Sequence, residues 1–180
     1  MLLVVDNGSI YTKQLTDFLN KKKIFFEKYT PYLLELNSLK KYEFIILSGR
    51  RKNDKKINEI NSKIINFSIK NNKKLLGICY GAEILALTLG GTIKKIESFQ
   101  KGNEKIEIFQ DNLIVNNSLN VFESHRYEIS KLPNMLLPIG KSNNCKYEII
   151  QHKEKLIFGT QFHPEMSLDG NDLIENFCSL

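Results

Sequence analysis

A chain of 180 residues has the length of one domain with a substantial core and leaves no room for a multidomain synthase. Hydrophobic residues make up 42% and charged residues 26%, an ordinary globular balance, and no apolar run approaches the ~18–20 residues of a bilayer crossing, so no membrane association is expected. The formal charge of +6 invites a nucleic-acid partner, but only three of the 26 basic residues are Arg (Arg50, Arg51, Arg126) and the lysines scatter along the chain, so no nucleic acid is expected either. Met1–Asp6 carries no basic leader, and its apolar stretch is too short for a secretory signal. Three Cys, an odd number without metal-like spacing, argue against a disulfide framework and against a metal site. A cytoplasmic protein is expected. The densest basic run, Arg50–Lys56, reads as a solvated loop and helix start, with an anion-binding patch as the alternative.

Short apolar runs alternate with helical patterns through the first half. Leu2–Val5 reads as a buried strand that ends in the Asp6-Asn7-Gly8 turn. Leu15, Phe18 and Leu19 place a helix over Tyr11–Lys21, and Ile24-Phe25-Phe26 begins a second strand. Phe44–Leu47 is a third, closed by Ser48-Gly49. Ile57, Ile60, Ile64, Ile65 and Ile69 mark a long amphipathic helix. Leu75–Ile78 is a fourth strand, and Glu83–Leu89 a compact helix stopped by Gly90-Gly91. Apolar strands alternating with helices imply a mostly parallel sheet covered on both faces.

From Thr92 onward the pattern changes to short runs with period-two alternation: Thr92–Ile96, Lys105–Phe109, Leu113–Val115, Tyr147–Ile150 and Leu156–Phe158. These read as a smaller antiparallel or mixed strand region. A helix over about Asp169–Phe177 closes the chain. With no repeat and no linker, residues 1–180 are expected to form a single domain.

The chemistry is concentrated in two segments. Leu75-Leu-Gly-Ile-Cys-Tyr-Gly-Ala-Glu83 runs a strand into a helix through Gly77-x-Cys79-x-Gly81, the cysteine form of a nucleophile elbow. The turn is too tight for side chains beside the nucleophile, hence the glycines. Cys79 would stand at a helix N-terminus, where the macrodipole favours thiolate and the Tyr80 N–H could face an oxyanion. Gly159-Thr-Gln-Phe-His163-Pro-Glu165 follows the last strand and supplies a base with its own orienting carboxylate. Cys145 and Cys178 lack such a setting and read as structural. His152 reads as a surface residue; His125 is either a site or partner-contact residue or a loop histidine.

Gly77-Ile-Cys-Tyr-Gly-Ala-Glu83 and Gln161-Phe-His-Pro-Glu165 resemble the two signatures of the class I (triad) glutamine amidotransferases, and the resemblance spans nearly the whole chain. Gly90-Gly91, Ser124-His125-Arg126 and Glu175–Cys178 are most similar to its branch of separate glutaminase subunits of archaeal-type GMP synthase. The resemblance implies a flavodoxin-like three-layer sandwich. It implies catalysis by Cys79, His163 and Glu165, an oxyanion hole from Tyr80, Gly49 and Arg50, and glutamine binding by Glu83, Ser124, His125, Arg126 and Tyr127. It implies no cofactor in this chain, with ATP and magnesium on a partner, an ATP-pyrophosphatase-type synthetase that receives the ammonia and aminates XMP.

Three positions depart from the family pattern. Glu83 stands where Gln is usual and adds negative charge; a similar Glu occurs in γ-glutamyl hydrolases, so a stand-alone hydrolase is a competing expectation. Ser48-Gly-Arg-Arg51 replaces Ser-Gly-Gly-Pro, and strain is expected at Arg50 if that residue needs a positive φ. Tyr127 lies near a usual Asp. The glutaminase subunit of another pathway, such as anthranilate synthase, and a catalytically impaired regulatory homologue also fit the pattern.

Overall fold

Four-residue apolar runs such as Leu2–Val5 need cover on both faces, and the computed structural model, which describes all residues 1–180, supplies it. The strands are β1 (Leu2–Val5), β2 (Phe26–Tyr29), β3 (Phe44–Leu47), β4 (Lys74–Ile78), β5 (Thr92–Ile108), β6 (Leu119–Lys131), β7 (Leu136–Lys141), β8 (Ile149–His152) and β9 (Ile157–Thr160). They form one nine-stranded sheet in the order β2-β1-β3-β4-β9-β8-β7-β5-β6. The five strands from β2 to β9 are mutually parallel, and the pairings from β9 through β8, β7 and β5 to β6 are antiparallel.

Alternate residues of each central strand face opposite cores. Leu2, Val4, Ile46, Leu76 and Phe158 meet helices α1 (Thr12–Lys21) and α4 (Leu168–Cys178) through Leu15, Phe18, Leu173 and Phe177. Leu3, Val5, Ile45, Leu75 and Ile157 meet α2 (Lys55–Lys70) and α3 (Tyr80–Thr88) through Ile64, Ile65, Ala82 and Leu85. This is the expected three-layer α/β sandwich with an antiparallel extension. No helix is long and apolar enough to cross a membrane.

The second half differs from the expectation in detail. Thr92–Ile96 and Lys105–Phe109 are parts of one strand, β5, with a register shift between Lys95 and Gln100. β6 is new: its inward positions after Leu119 and Val121 are Glu123 and His125, which break the apolar alternation that would have revealed it. β7 was hidden by Pro138, where the pairing with β8 shifts register. Leu113–Val115 is not a strand. The Asn112 side chain accepts the Ile114 and Val115 amides at 3.0 and 2.8 Å and folds the segment into a turn, with both apolar side chains buried. His152 is not on the surface: it closes β8 at 3% exposure and its Nδ1 accepts the Glu154 amide. Helix α3 begins at Tyr80, ahead of the expected Glu83.

That early start depends on glycine. A Cβ at Gly81 would collide with the Leu47 carbonyl at the end of β3, and one at Gly77 with the Gly81 backbone. Both obstacles are main chain and cannot swing aside. Gly81→Ala is therefore expected to destabilise the fold by about 3 kcal/mol. Chemical denaturation would show this as a lowered midpoint, and an unchanged midpoint would contradict the packing described.

Candidate active site

An open α/β sheet has its crevice at the carboxyl ends of its parallel strands. Ser9–Tyr11 follow β1, Gly49-Arg50 follow β3, Cys79 follows β4 and His163 follows β9, so segments far apart in the chain converge at one edge. Cys79, Tyr80, Glu83, Arg50, Ser124–Tyr127 and His163 line a single cleft of about 660 Å³ there.

Cys79 is the N-cap of α3 and one of three non-glycine residues with positive φ (51°, with ψ −104°). Outside the ordinary basins, such backbone needs surroundings that over-determine it. Here its amide donates to the Thr160 carbonyl at 2.7 Å, and its carbonyl accepts the Ala82 and Glu83 amides, both at 3.0 Å. The Tyr80 N–H opens the helix and has no intrahelical acceptor.

His163 continues from β9, and its amide donates to the Phe122 carbonyl at 2.9 Å, a bridge that ties it to β6. Pro164 starts a single 3₁₀ turn (Pro164–Met166) that brings Glu165 back to the ring. The ring Nδ1–H donates to Glu165 Oε1 at 2.9 Å. This leaves Nε2 for the Cys79 thiol, and each of the two groups bears on the other's titration. The Tyr11 ring packs edge-on against the imidazole, centroids 4.5 Å apart, and its hydroxyl donates to Ser124 Oγ at 3.1 Å.

Burial opposes a charge on His163, but Glu165 first and Cys79 second outweigh it, and the ring's pKa is pushed up to about 10. Burial also raises the Cys79 thiol, with His163 the main influence pulling it back. Glu165 thus favours the protonated ring. Removing that carboxylate charge in Glu165→Gln should move the His163 titration down by more than ~1 pH unit, as followed by NMR of the ring. Superimposable titrations in the two proteins would disprove the coupling.

Sequence comparison agrees with this geometry. The profile of the family described as Glutamine amidotransferase class-I matches residues 3–179. The chain belongs to that family. It is 30% identical to the glutamine-hydrolyzing subunit of the GMP synthase of Methanocaldococcus jannaschii, covering 100% of this chain and 97% of that protein. It is 29% identical to a longer glutamine-hydrolyzing GMP synthase of Thermosipho melanesiensis, covering 99% of this chain but 35% of that one. A crystal structure of a GMP synthase subunit from Thermoplasma acidophilum, 26% identical, superimposes with a TM-score of 0.87 over 99% of this chain and 92% of that chain.

In this amidotransferase the departures from the family pattern can be placed. The strain expected at Arg50 is absent: positive φ outside glycine occurs only at Lys23, Asn72 and Cys79. Gly49 leaves no room for a side chain beside the imidazole, since a Cβ there would lie 3.0 Å from His163 Cε1. The basic run from Arg50 is partly built into the cleft: Arg50, Arg51 and Lys52 line it, and Asp54 caps α2 by accepting the Lys56 and Ile57 amides. Ser124, His125, Arg126 and Tyr127 lie on β6, not in a loop. Tyr80 is buried and contributes its ring as well as its backbone, because the Arg50 guanidinium stacks on it.

His125 is buried with Nδ1–H donating to the Tyr127 carbonyl at 2.9 Å. Its Nε2 approaches Glu123 Oε2 to 2.9 Å, outside hydrogen-bond alignment but close enough for an ion pair when the ring is protonated. Burial works against the imidazolium, and Glu123 overrides it, so the pKa of His125 is raised. Cys145 is buried and Cys178 partly so; both are free, and burial raises both thiols.

Tyr11, Asn58 and Glu123 were not singled out in the sequence. The position of Tyr11 just after a parallel strand was the one available signal.

Glu83 is 5% exposed, and the one hydrogen bond to its carboxyl group comes from Gln161 Nε2 at 3.3 Å. Burial raises its pKa, opposed by Gln161, Arg50, His125 and His163. Once ionised it holds the Cys79 thiol up. Glu83→Gln should therefore shift the pH profile of Cys79 alkylation by iodoacetamide toward lower pH. A profile that stays put, or moves up, would contradict this electrostatic link.

Proposed function

We propose that this chain is the glutaminase subunit of a two-component GMP synthase, with residues 1–180 acting as one cytoplasmic amidotransferase domain. Cys79 attacks the side-chain amide carbon of glutamine while His163 takes its proton. The Tyr80 N–H and the Gly49-Arg50 backbone stabilise the tetrahedral oxyanion. His163 returns the proton to the departing ammonia, water hydrolyses the γ-glutamyl thioester, and Glu165 holds the ring tautomer throughout. Glu83 and Ser124–Tyr127 hold the substrate. The chain carries no cofactor of its own; an ATP-pyrophosphatase-type synthetase subunit binds ATP and magnesium and aminates XMP.

The observation that carries this reading is the convergence of buried Cys79, His163 and Glu165 at a strand-to-helix elbow, with His163 hydrogen-bonded to Glu165. The GMP branch is supported by full-length similarity to the glutamine-hydrolyzing GMP synthase subunit of M. jannaschii. The need for a partner is supported by the longer GMP synthase, of which this chain matches about a third. A second reading, a γ-glutamyl hydrolase acting alone, is favoured by the acidic side chain at Glu83 in the cleft.

Cys79→Ala should remove glutamine hydrolysis by more than ~10³-fold while circular dichroism and melting stay those of a folded protein. A synthetase partner should still make GMP from XMP when given free ammonia in place of glutamine. Ammonia release that persists in the variant would refute the nucleophile. Turnover of γ-glutamyl amines that exceeds glutamine turnover and ignores added synthetase would favour the stand-alone hydrolase.

A further inference from the structure

The loop after β3 is fastened at both ends by side chains. On one side, the Asn7 amide donates to Ser48 Oγ at 2.9 Å and Asn7 Nδ2 donates to the Ser48 carbonyl at 3.0 Å. Asn61 on α2 holds Asn7 in turn, donating to its Oδ1 at 2.7 Å. On the other side, Arg50 Nη1 donates to Asn58 Oδ1 at 2.6 Å, and the guanidinium lies 3.9 Å from the centre of the Tyr80 ring. The Tyr80 hydroxyl donates to the same Asn58 oxygen at 2.8 Å. Gly49, the one residue between these anchors, lies beside His163, where an added Cβ would come within 3.0 Å of the ring.

We propose that Arg50 is a positioning residue: its side chain locks the Gly49-Arg50 peptide against the catalytic centre by clamping it to α2 and to the elbow helix. The loop is then set in the isolated chain, before any partner binds. The lock suits arginine. One face of a planar fork can stack on an aromatic ring while an edge N–H bonds sideways to an amide oxygen; a lysine ammonium, with no face, does not combine the two in this way. A residue free to rotate at this position would let the peptide turn its N–H away from the oxyanion, since glycine before it offers little resistance. The proposal rests on the reading above that this backbone serves the oxyanion, and it adds what holds it there.

Arg50→Ala, Arg50→Lys and Asn58→Ala in the isolated chain test it by three readouts. Hydrogen exchange followed by mass spectrometry should show the amides of residues 48–52 exchanging at least about tenfold faster in Arg50→Ala, with residues 74–78 unchanged. Steady-state glutamine hydrolysis should lose about tenfold or more in kcat with KM within about twofold, as for a misplaced oxyanion donor. Alkylation of Cys79 by iodoacetamide, which needs the thiolate but no oxyanion hole, should stay within about twofold of the parent rate. Arg50→Lys and Asn58→Ala should fall between.

Unchanged exchange at residues 48–52 would overturn the proposal. So would alkylation that falls in step with kcat, which would mean damage to the elbow through Tyr80, or a raised KM at constant kcat, which would make Arg50 a substrate-binding group. If the parent chain hydrolyses no glutamine even with a synthetase partner added, the proposed function fails, while the exchange comparison still decides whether Arg50 holds the loop.

Discussion

The hydrogen bond from the Cys79 amide to the Thr160 carbonyl closes the pairing of β4 with β9, and the site exists because of that pairing. Between the two strands the chain makes its whole antiparallel excursion, β5 to β8, and must return in register, Leu75 against Ile157 through Ile78 against Thr160. The core enforces the register. Phe158 belongs to the α1/α4 core and Ile157 to the α2/α3 core, so a slip by one residue would bury each on the wrong side and turn His163 away from the thiol. Gly159 completes the fit: a Cβ there would come within 2.8 Å of Ala82 Cβ and lift the elbow helix from the strand beneath it. Elbow and base are thus placed by the same contacts that stabilise the centre of the sheet.

The parallel half and the two segments that bring Cys79, His163 and Glu165 together were legible in the sequence because each rests on a local rule. An apolar run of strand length, a helical stripe and a Gly-flanked cysteine all carry their meaning within a few residues. The antiparallel half was less legible where its inward positions serve electrostatics instead of packing. β6 points Glu123 and His125 inward where an apolar residue would have shown a strand, and β7 contains a proline tolerated by a register shift. Glu83 was recognised as a departure, but its burial against Gln161 depends on β9 lying beneath α3, which no local pattern encodes. Likewise, only the assembled crevice brings the Tyr11 ring to His163 and the Asn58 side chain to Arg50.

The cleft and its wall hold several buried ionisable groups close together, and their charges are matched in pairs. Glu165 faces His163, and Glu123 faces His125. Glu148, just before β8, sits beside Glu123; burial, and then the charge of Glu123, push its carboxyl well above the usual carboxylate range. Glu123 in turn lies 2.9 Å from Nε2 of His125. That matters at the cleft, because His125 and Glu83 act on each other across it, the cation favouring the carboxylate and the carboxylate favouring the cation. The acid that replaces the family's usual amide is therefore set among cations, Arg50, His125 and His163, that offset part of its charge.

The use of arginine fits the same picture. This chain has 26 basic residues and only three arginines, yet all three, Arg50, Arg51 and Arg126, line the one cleft that contains Cys79. Two of them lie over aromatic rings, Arg50 over Tyr80 and Arg126 over Phe99 at 4.7 Å. Elsewhere lysine provides charge and solubility, for which a point charge on a flexible stem is sufficient. Arg50 stacks on a ring and offers a hydrogen bond from its edge at the same time, a combination that suits the guanidinium better than an ammonium. The net positive charge thus divides into lysines spread along the whole chain and three arginines gathered at the cleft that contains Cys79.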